Sequence, residues 1–354
     1  MSRPCPLSRS LPLIGAACLA LSAPSAQALN VLLCNDDGFT AANVRALQQR
    51  LQMAGHQVLV SAPVDNQSGR GGYMAFLSPI RPIPASYVDP YTGSTVVPRA
   101  LRSHPGLVDA VGVGTDPLDD RVAYVNGTPV MACLYGMDVL APARFGGLPD
   151  LVISGPNEGN NLGHINPSSG TVNNTYYAIN RRLPAIGISD ADTTQREFGS
   201  LVAGSRPYEV ADIVVGLVGR LQKAAGPQRP LLPKGLGLNV NVPLFAAGTG
   251  ASLRLEPTRM GTATPYGPAF YQDLGLNALA RSFGIPPGLG LSGIGLDPSG
   301  TTLPSGVVLP TDPSKRSEGN VIAAAEAISV SLIQGVPDVK PADEALLREV
   351  LGQR

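Results

Sequence analysis

Two patterns of hydrophobic and polar positions alternate along this chain. Short apolar runs with the length of a buried strand occur at 29–34, 58–60, 151–153, 185–188 and 236–242. Between them, apolar residues recur every three to four positions, which is typical of one helical face, at 44–54, 171–182 and 208–224. Alternating strands and helices predict an α/β fold with a doubly wound, mostly parallel sheet.

Two stretches rich in Gly and Pro interrupt this alternation. Residues 78–122 indicate a loop or hairpin insertion, and residues 256–315 contain still more Gly and Pro, as in the run 286–293. A structureless connection of the second length is unusual inside a compact domain. The sequence leaves two interpretations open for it, an excursion that packs on a partner subunit and a mobile flap. Near the end of the chain, 343–351 fits a solvated helix.

The first 28 residues have the pattern of a signal peptide. Arg3 and Arg9 precede an apolar stretch at 11–21, and the small residues at 25–28 allow cleavage after Ala28. The apolar stretch is too short to span a bilayer comfortably. We therefore expect an exported protein, periplasmic or secreted, with no membrane span after cleavage.

Composition narrows the function classes. Of the 354 residues, 44% are hydrophobic and 15% are charged, which argues against global disorder. The formal net charge is zero, so the sequence gives no reason to expect binding to a nucleic-acid polymer or an anionic membrane. A phosphate-bearing ligand would have to be held by local features of the fold.

After cleavage, two cysteines would remain in the chain. They are Cys34, at the end of the first strand, and Cys133, on a predicted helix. An oxidising compartment permits a disulfide, but two cysteines do not form a disulfide framework. We expect both to be small buried hydrophobic residues instead.

The candidate chemistry begins with two acids after the first apolar run. Adjacent side chains on a continuing strand point to opposite faces, so Asp36 and Asp37 converge only if the chain turns, and Gly38 permits a turn. The carboxyl end of a first strand is where open α/β sheets place their ligands. Carboxylate oxygens there favour a divalent cation such as Mg²⁺ or Mn²⁺.

Three further polar segments follow predicted strands. They are Asn66-Gln67-Ser68-Gly69, the run 154–161, and Ser169-Gly170-Thr171 at a predicted helix start. In a parallel sheet these loops emerge at one edge. Ser and Asn oxygens can complete the coordination shell of a cation, and the free N–H groups of a helix start suit an anion. The sequence therefore predicts a cation and phosphate site at this edge.

These segments, in this order, resemble the SurE (survival protein) nucleotidases. Each motif is weak alone, and the ordered set over about 29–245 is specific. A weaker match follows at 327–331. The matching segments are Asn35-Asp36-Asp37-Gly38, Ala62-Pro63, Asn66-Gln67-Ser68-Gly69, Gly127-Thr128-Pro129, 150–157, Asn161-Leu162-Gly163, Ser169-Gly170-Thr171-Val172 and 238–243.

The resemblance implies a phosphomonoesterase acting on nucleoside monophosphates, with a Rossmann-like core and one divalent cation (Mg²⁺ or Mn²⁺) per subunit. It also implies a homo-oligomer, a dimer or tetramer, assembled through the C-terminal excursion. The implied metal ligands are Asp36, Asp37, Ser68 and Asn157, the two aspartates being catalytic, and the implied phosphate-pocket residues are Asn161, Ser169, Gly170 and Thr171. Which carboxylate, if either, acts as general base stays open.

The resemblance also divides the chain. It implies a phosphatase core at 29–250 that carries the 78–122 insertion, a C-terminal excursion and return at 251–335, and a tail at 336–354. The chain departs from the family pattern at Ala132, where an acid usually precedes the cysteine, at Pro156, and at Asn173-Asn174. These changes leave the metal set intact, and with export they allow broad acid-phosphatase activity on extracellular nucleotides.

Two other function classes compete with this interpretation. One is a nucleoside hydrolase, whose acidic cluster has additional aspartates upstream, where this chain has Leu32-Leu33-Cys34. The other is a non-catalytic nucleotide- or metal-binding module of the cell envelope. No Gly-x-Gly-x-x-Gly follows the first strand, which argues against a dinucleotide-binding dehydrogenase.

Several other polar residues receive simpler interpretations. We expect Glu158 to be a solvated loop acid, His56 to lie on the surface and His104 to be incidental. His164 lies within the Asn-rich loop, where contact with the pocket is one of two interpretations. No Ser-His-Asp arrangement and no Cys/His zinc spacing is evident in the sequence.

Overall fold

The computed structural model describes residues 27–89, 93–227 and 230–336, with the single residues 1 and 351. Most of the predicted signal peptide and of the predicted helix at 343–351 lies outside these ranges. Within them, no helix combines the length and the apolar character needed to cross a bilayer.

The described residues form an α/β fold built on a nine-stranded sheet, which confirms the predicted fold class. The strands are β1 (Asn30–Cys34), β2 (Gln57–Pro63), β3 (Tyr87–Val88), β4 (Thr95–Val96), β5 (Val113–Asp116), β6 (Asp119–Val125), β7 (Leu151–Glu158), β8 (Ala185–Asp190), β9 (Leu236–Val242), β10 (Arg254–Thr258), β11 (Gly267–Tyr271), β12 (Gly293–Asp297) and β13 (Ala327–Gln334). The helices are α1 (Ala42–Met53), α2 (Pro129–Tyr135), α3 (Ala141–Phe145), α4 (Gly170–Asn180), α5 (Arg206–Ala225), α6 (Ala278–Ser282) and α7 (Glu318–Ala323).

The order of strands in the large sheet creates a crevice beside β1. The order is β10-β13-β9-β8-β7-β1-β2-β6-β5, and the six strands from β9 to β6 run parallel. After β1 the chain adds β2 and β6 on one side, then returns to add β7, β8 and β9 on the other. The switch point therefore lies between β1 and β7, where doubly wound sheets bind their ligands.

The central strand β1 supplies side chains to two hydrophobic cores. Val31 and Leu33 belong to the core under α1 and α5, whereas Leu32 and Cys34 belong to the core under α2 and α4. This alternation follows from the two-residue period of a strand. Since β1 is buried on both faces, it reads in the sequence as a continuous apolar run.

The predicted insertion 78–122 contributes strands to the main sheet. β5 and β6 form an antiparallel pair, and β6 lies parallel to β2 with Val60 beside Val122. The interpretation of this region as only a loop or hairpin was therefore incomplete. The apolar part of β6 is short, and the Pro, Gly and Asp residues before it hid the signal.

The stretch 256–315 is not structureless. β11 and β12 form a separate antiparallel ladder in which Phe270 pairs with Ile294. The chain then returns through α7 to β13, which pairs antiparallel with β9 and parallel with β10. The match noted at 327–331 thus lies on a strand of the main sheet.

The expectation for the cysteines was wrong in one respect. Cys34 and Cys133 are both buried, as expected, but they form a disulfide with a Cα–Cα distance of 5.3 Å. The reason is geometric, because Cys34 points from β1 toward the α2 face of the sheet and Cys133 lies on α2. The bond ends two residues before Asp36.

Candidate functional site

The chain turns directly after β1, as the sequence predicted. The Asn35 side chain closes the turn, since its Nδ2 donates to the Gly38 carbonyl (3.1 Å) and its Oδ1 accepts from the Gly38 N–H (3.3 Å). Gly38 has a φ of 112°, a value that favours glycine. The turn keeps Asp36 and Asp37 buried at the carboxyl edge of the sheet.

Asp36 joins two of the predicted segments. Its Oδ1 accepts a hydrogen bond from the Thr171 hydroxyl at 2.7 Å. Its carbonyl accepts from the Gln67 N–H at 2.8 Å. A Cβ at Gly170 would lie only 2.7 Å from the Asp36 Cβ, so glycine is needed where α4 begins. The loop after β2 and the start of α4 therefore both pack against Asp36.

Asp37 contacts the end of β7. Its Oδ2 accepts from the Glu158 N–H at 3.1 Å, which brings Asn157 to the same place. Here β7 contains a bulge, because Ser154 pairs with Gly187 while Asn157 pairs with Ser189. Such an extra residue re-aims the side chains that follow it.

Two buried oxygens at this point lack a hydrogen-bond partner among the described residues: Asp37 Oδ1 and Asn157 Oδ1. The Asn157 amide nitrogen donates to the Gly159 carbonyl at 2.7 Å, which leaves the amide oxygen free. Buried acceptors without a donor are costly, so the chemistry of these two oxygens fits a bound cation. The described residues contain no cluster of three His, Cys, Asp or Glu side chains suited to a metal, so any cation here must also use amide or hydroxyl oxygens.

Burial dominates the electrostatics of the aspartate pair. It raises the pKa of Asp36 to about 6, although the hydrogen bond from Thr171 acts in the opposite direction. Burial and the nearby charges of Asp36 and Glu158 raise the pKa of Asp37 well above its usual range, while Arg99 lowers it. A divalent cation would offset this cost by stabilising the ionised carboxylates.

The remaining predicted residues lie on the loop after β2, on the loop after β7 and at the start of α4. Ser68 is exposed and follows Gln67, so its main chain is near Asp36. The Ser169 hydroxyl accepts from the Val172 N–H at 3.0 Å and caps α4. The Asn161 side chain donates to the Ser189 hydroxyl at 2.8 Å. The structure thus brings the β1, β2, β7 and α4 segments together.

The family model for survival protein SurE matches residues 31–265, well over half of the chain. The chain belongs to the SurE family. This confirms the resemblance found in the sequence. The match begins at β1 and extends past β9, so it includes every segment that forms the site.

Curated relatives carry two kinds of name. An acid phosphatase of Yarrowia lipolytica is 31% identical over 70% of this chain and 64% of its own length. A 5'-nucleotidase SurE of Desulfovibrio desulfuricans is 34% identical over 46% of this chain and 49% of its own. Another, of Thermosynechococcus vestitus, is 30% identical over 66% and 70%. The chain therefore aligns with less than two thirds of the first two relatives.

A solved structure supports the fold. The SurE protein of Aquifex aeolicus superposes with a TM-score of 0.58 at 20% identity, covering 91% of this chain and 99% of that one. At this identity the likeness shows the SurE fold alone.

Several interpretations of single residues were wrong. Glu158 is not solvated, because its side chain is 2% exposed and ion-paired with Arg99. His56 is buried, and its Nδ1 accepts from the Leu29 N–H at 3.2 Å, while burial lowers its pKa. The surroundings of both residues come from distant parts of the chain, so their local sequence gave no signal.

His104 is also buried, and it belongs to a hydrogen-bonded set that the sequence did not reveal. Ser103 Oγ lies 2.9 Å from His104 Nδ1, and His104 Nε2 lies 3.2 Å from Asp116 Oδ1. Asp116 also forms an ion pair with Arg45, in which Arg45 Nη1 lies 2.7 Å from Asp116 Oδ2. The set therefore connects α1 to the insertion. His164 is partly buried, and its Nε2 lacks a hydrogen-bond partner among the described residues.

A buried carboxylate from the C-terminal return contacts the loop after β7. Glu318 is 0% exposed. Its Oε1 accepts from the Gly163 N–H (3.0 Å) and the Asn166 amide (2.9 Å), and its Oε2 accepts from the Asn239 amide (3.0 Å) and the Ser331 hydroxyl (3.1 Å). Asn239 in turn donates to the Asn161 carbonyl at 3.1 Å. Glu318 thus holds the loop after β7 against β9 and β13.

Glu318 should make the stability of the protein depend on pH. Burial raises its pKa from 4.5 to about 7, so the folded state holds this proton more tightly than the unfolded state. The contribution of Glu318 to unfolding free energy should therefore fall as pH rises from about 4.5 to about 7, by roughly 3 kcal/mol. Urea unfolding at a series of pH values checks this. In Glu318→Gln, the unfolding free energy should no longer fall by this amount over that pH range. An unchanged pH dependence would contradict the raised pKa of Glu318.

Proposed function

We propose that the chain is a metal-dependent phosphomonoesterase that hydrolyses nucleoside monophosphates to nucleoside and phosphate. Family membership and the names of the relatives, 5'-nucleotidase SurE and acid phosphatase, support this reaction class. The observation that carries the proposal is the pair of buried acceptors without donors, Asp37 Oδ1 and Asn157 Oδ1, beside a second buried carboxylate.

The donor set fits a hard divalent cation, Mg²⁺ or Mn²⁺. We assign Asp36, Asp37, Ser68 and Asn157 as the residues that hold it, one cation per subunit. Carboxylate, amide and hydroxyl oxygens are the ligands that such cations prefer. When bound, the cation would neutralise phosphate charge and lower the pKa of a water.

The rest of the proposed site binds and orients the phosphate. The first N–H groups of α4, from Gly170 and Thr171, have no acceptor within the helix and suit an anion. Ser169 caps the start of α4. Asn161 lies on the loop after β7, where its carbonyl accepts a hydrogen bond from Asn239. The Thr171 hydroxyl fixes Asp36, which leaves the second Asp36 oxygen for the cation.

Phosphate release separates this proposal from its rivals. The purified protein should release inorganic phosphate from several nucleoside monophosphates, and from p-nitrophenyl phosphate if its range is broad, when Mn²⁺ or Mg²⁺ is present. EDTA should stop the reaction, and added metal should restore it. Release of free base would instead indicate a nucleoside hydrolase, and tight nucleotide binding without turnover a binding module.

We further propose that the protein is exported and forms a homo-oligomer. The Cys34–Cys133 disulfide supports an oxidising compartment. The exposed Phe270 and Ile294, paired across the β11–β12 ladder, support a subunit contact there. An N-terminus at Leu29 in protein from the cell envelope or medium, and a dimer or tetramer mass by light scattering, are the expected results.

A further inference from the structure

Arg99, which lies in the 78–122 region, contacts residues beside the proposed metal site. Arg99 begins a short 3₁₀ helix, Arg99–Arg102, and its side chain is 2% exposed. Its own N–H donates to Asp65 Oδ1 at 2.9 Å, which fixes the start of that helix. A charged group this deeply buried is stable only when it is paired and fully hydrogen-bonded.

The Arg99 guanidinium uses all of its donors inside the protein. It has five N–H groups. Nε donates to Glu197 Oε1 (2.8 Å), Nη1 to the Asp37 carbonyl (3.0 Å) and Glu158 Oε2 (2.8 Å), and Nη2 to Glu158 Oε1 (3.0 Å) and the Arg196 carbonyl (2.8 Å). These five bonds leave no donor for a substrate phosphate.

Three of the five bonds reach the segments that present the proposed metal ligands Asp37 and Asn157. One bond holds the main chain of Asp37. Two hold the carboxylate of Glu158, whose N–H donates to Asp37 Oδ2 and whose preceding residue is Asn157. The other two attach the 196–197 segment, and the Arg196 N–H also donates to Glu158 Oε1 at 3.0 Å. Loss of Arg99 would free the β1 turn and the end of β7 to separate.

We propose that Arg99 is a positioning residue that holds Asp37 and Asn157 at the spacing a divalent cation requires. This inference rests on the proposed function. It gives the 78–122 insertion a role in building the site, because the insertion supplies the arginine. Lysine cannot replace it, since an ammonium has three donors and lacks the planar fork that binds Glu158 through two bonds.

Metal affinity measured without substrate tests the inference. We expect Arg99→Lys to raise the dissociation constant for Mn²⁺, measured by isothermal titration calorimetry, about 10- to 100-fold, as when residues that orient metal ligands are lost. The kcat should fall while KM for the nucleotide changes little. Arg121→Lys is the matched control, because Arg121 lies in the same insertion with a side chain that is 52% exposed, and it should behave as wild type.

A second variant keeps the test decisive if Arg99→Lys does not fold. Glu158→Gln retains one acceptor for Arg99 but loses the two-bond ion pair, and it should also weaken Mn²⁺ binding. Unchanged Mn²⁺ affinity in a folded variant would overturn the inference, and a raised KM with unchanged Mn²⁺ affinity would make Arg99 a phosphate ligand instead. Failure of wild type to bind Mn²⁺ would instead defeat the proposed function.

Discussion

Asp37→Asn is expected to lower metal-dependent phosphate release by roughly 10³-fold or more. The substitution removes one of the two buried aspartate charges of the proposed metal site and can turn an amide N–H₂ group toward the cation. Loss of a charged ligand costs several kcal/mol of transition-state stabilisation, and each 1.36 kcal/mol is tenfold in rate. Steady-state phosphate release with saturating Mn²⁺ checks the result.

The control for this substitution is Asp120→Asn. Asp120 also follows another aspartate, but its side chain is 77% exposed and lies near the start of β6. Its activity should equal that of wild type. If Asp37→Asn retained most of the activity while remaining folded, the proposed site would be wrong.

Loss of the Cys34–Cys133 bond is expected to lower the free energy of unfolding by about 4 kcal/mol. The bond joins residues separated by 99 positions, and closing so long a loop restricts the unfolded chain strongly. Chemical unfolding of the wild type, with and without reductant, measures the effect. The variant Cys34→Ala/Cys133→Ala should unfold like the reduced protein and should not respond to reductant.

An unfolding midpoint that is the same in oxidised and reduced wild type would contradict this stabilising role. Phosphate release gives a second readout. Cys34 ends β1 two residues before Asp36. Any activity lost by reduced protein that stays folded should therefore reflect a looser turn after β1.

The predictable part of the site came from local sequence signals. The apolar run of β1 ends where Asp36 begins, and Gly38 marks the turn, so a strand followed by a converging acid pair could be inferred from eight or so residues. The start of α4 at Ser169 was likewise predicted from neighbouring residues in the sequence. These signals depend on strand and helix periodicity, which neighbouring residues set.

The missed part depends on contacts between distant segments. Glu158 looked solvated within a polar loop, and its partner Arg99 is 59 positions away in a region that gave only loop signals. The disulfide was missed for the same reason. Its prediction requires knowing which face of the sheet α2 covers, and the local sequence does not give this. Glu318 gave no signal, since its four partners lie on three separate segments, the loop after β7, β9 and β13. Local patterns therefore predicted the turn after β1 and the start of α4, but not the distant residues that hold these segments in place.

The most direct test of the account is the anomalous scattering of Mn²⁺ in crystals grown with the ion. One peak per subunit is expected at the carboxyl edge between β1 and β7, about 2.0–2.5 Å from oxygens of Asp36, Asp37 and Asn157. A peak elsewhere, or none at this edge, would contradict it.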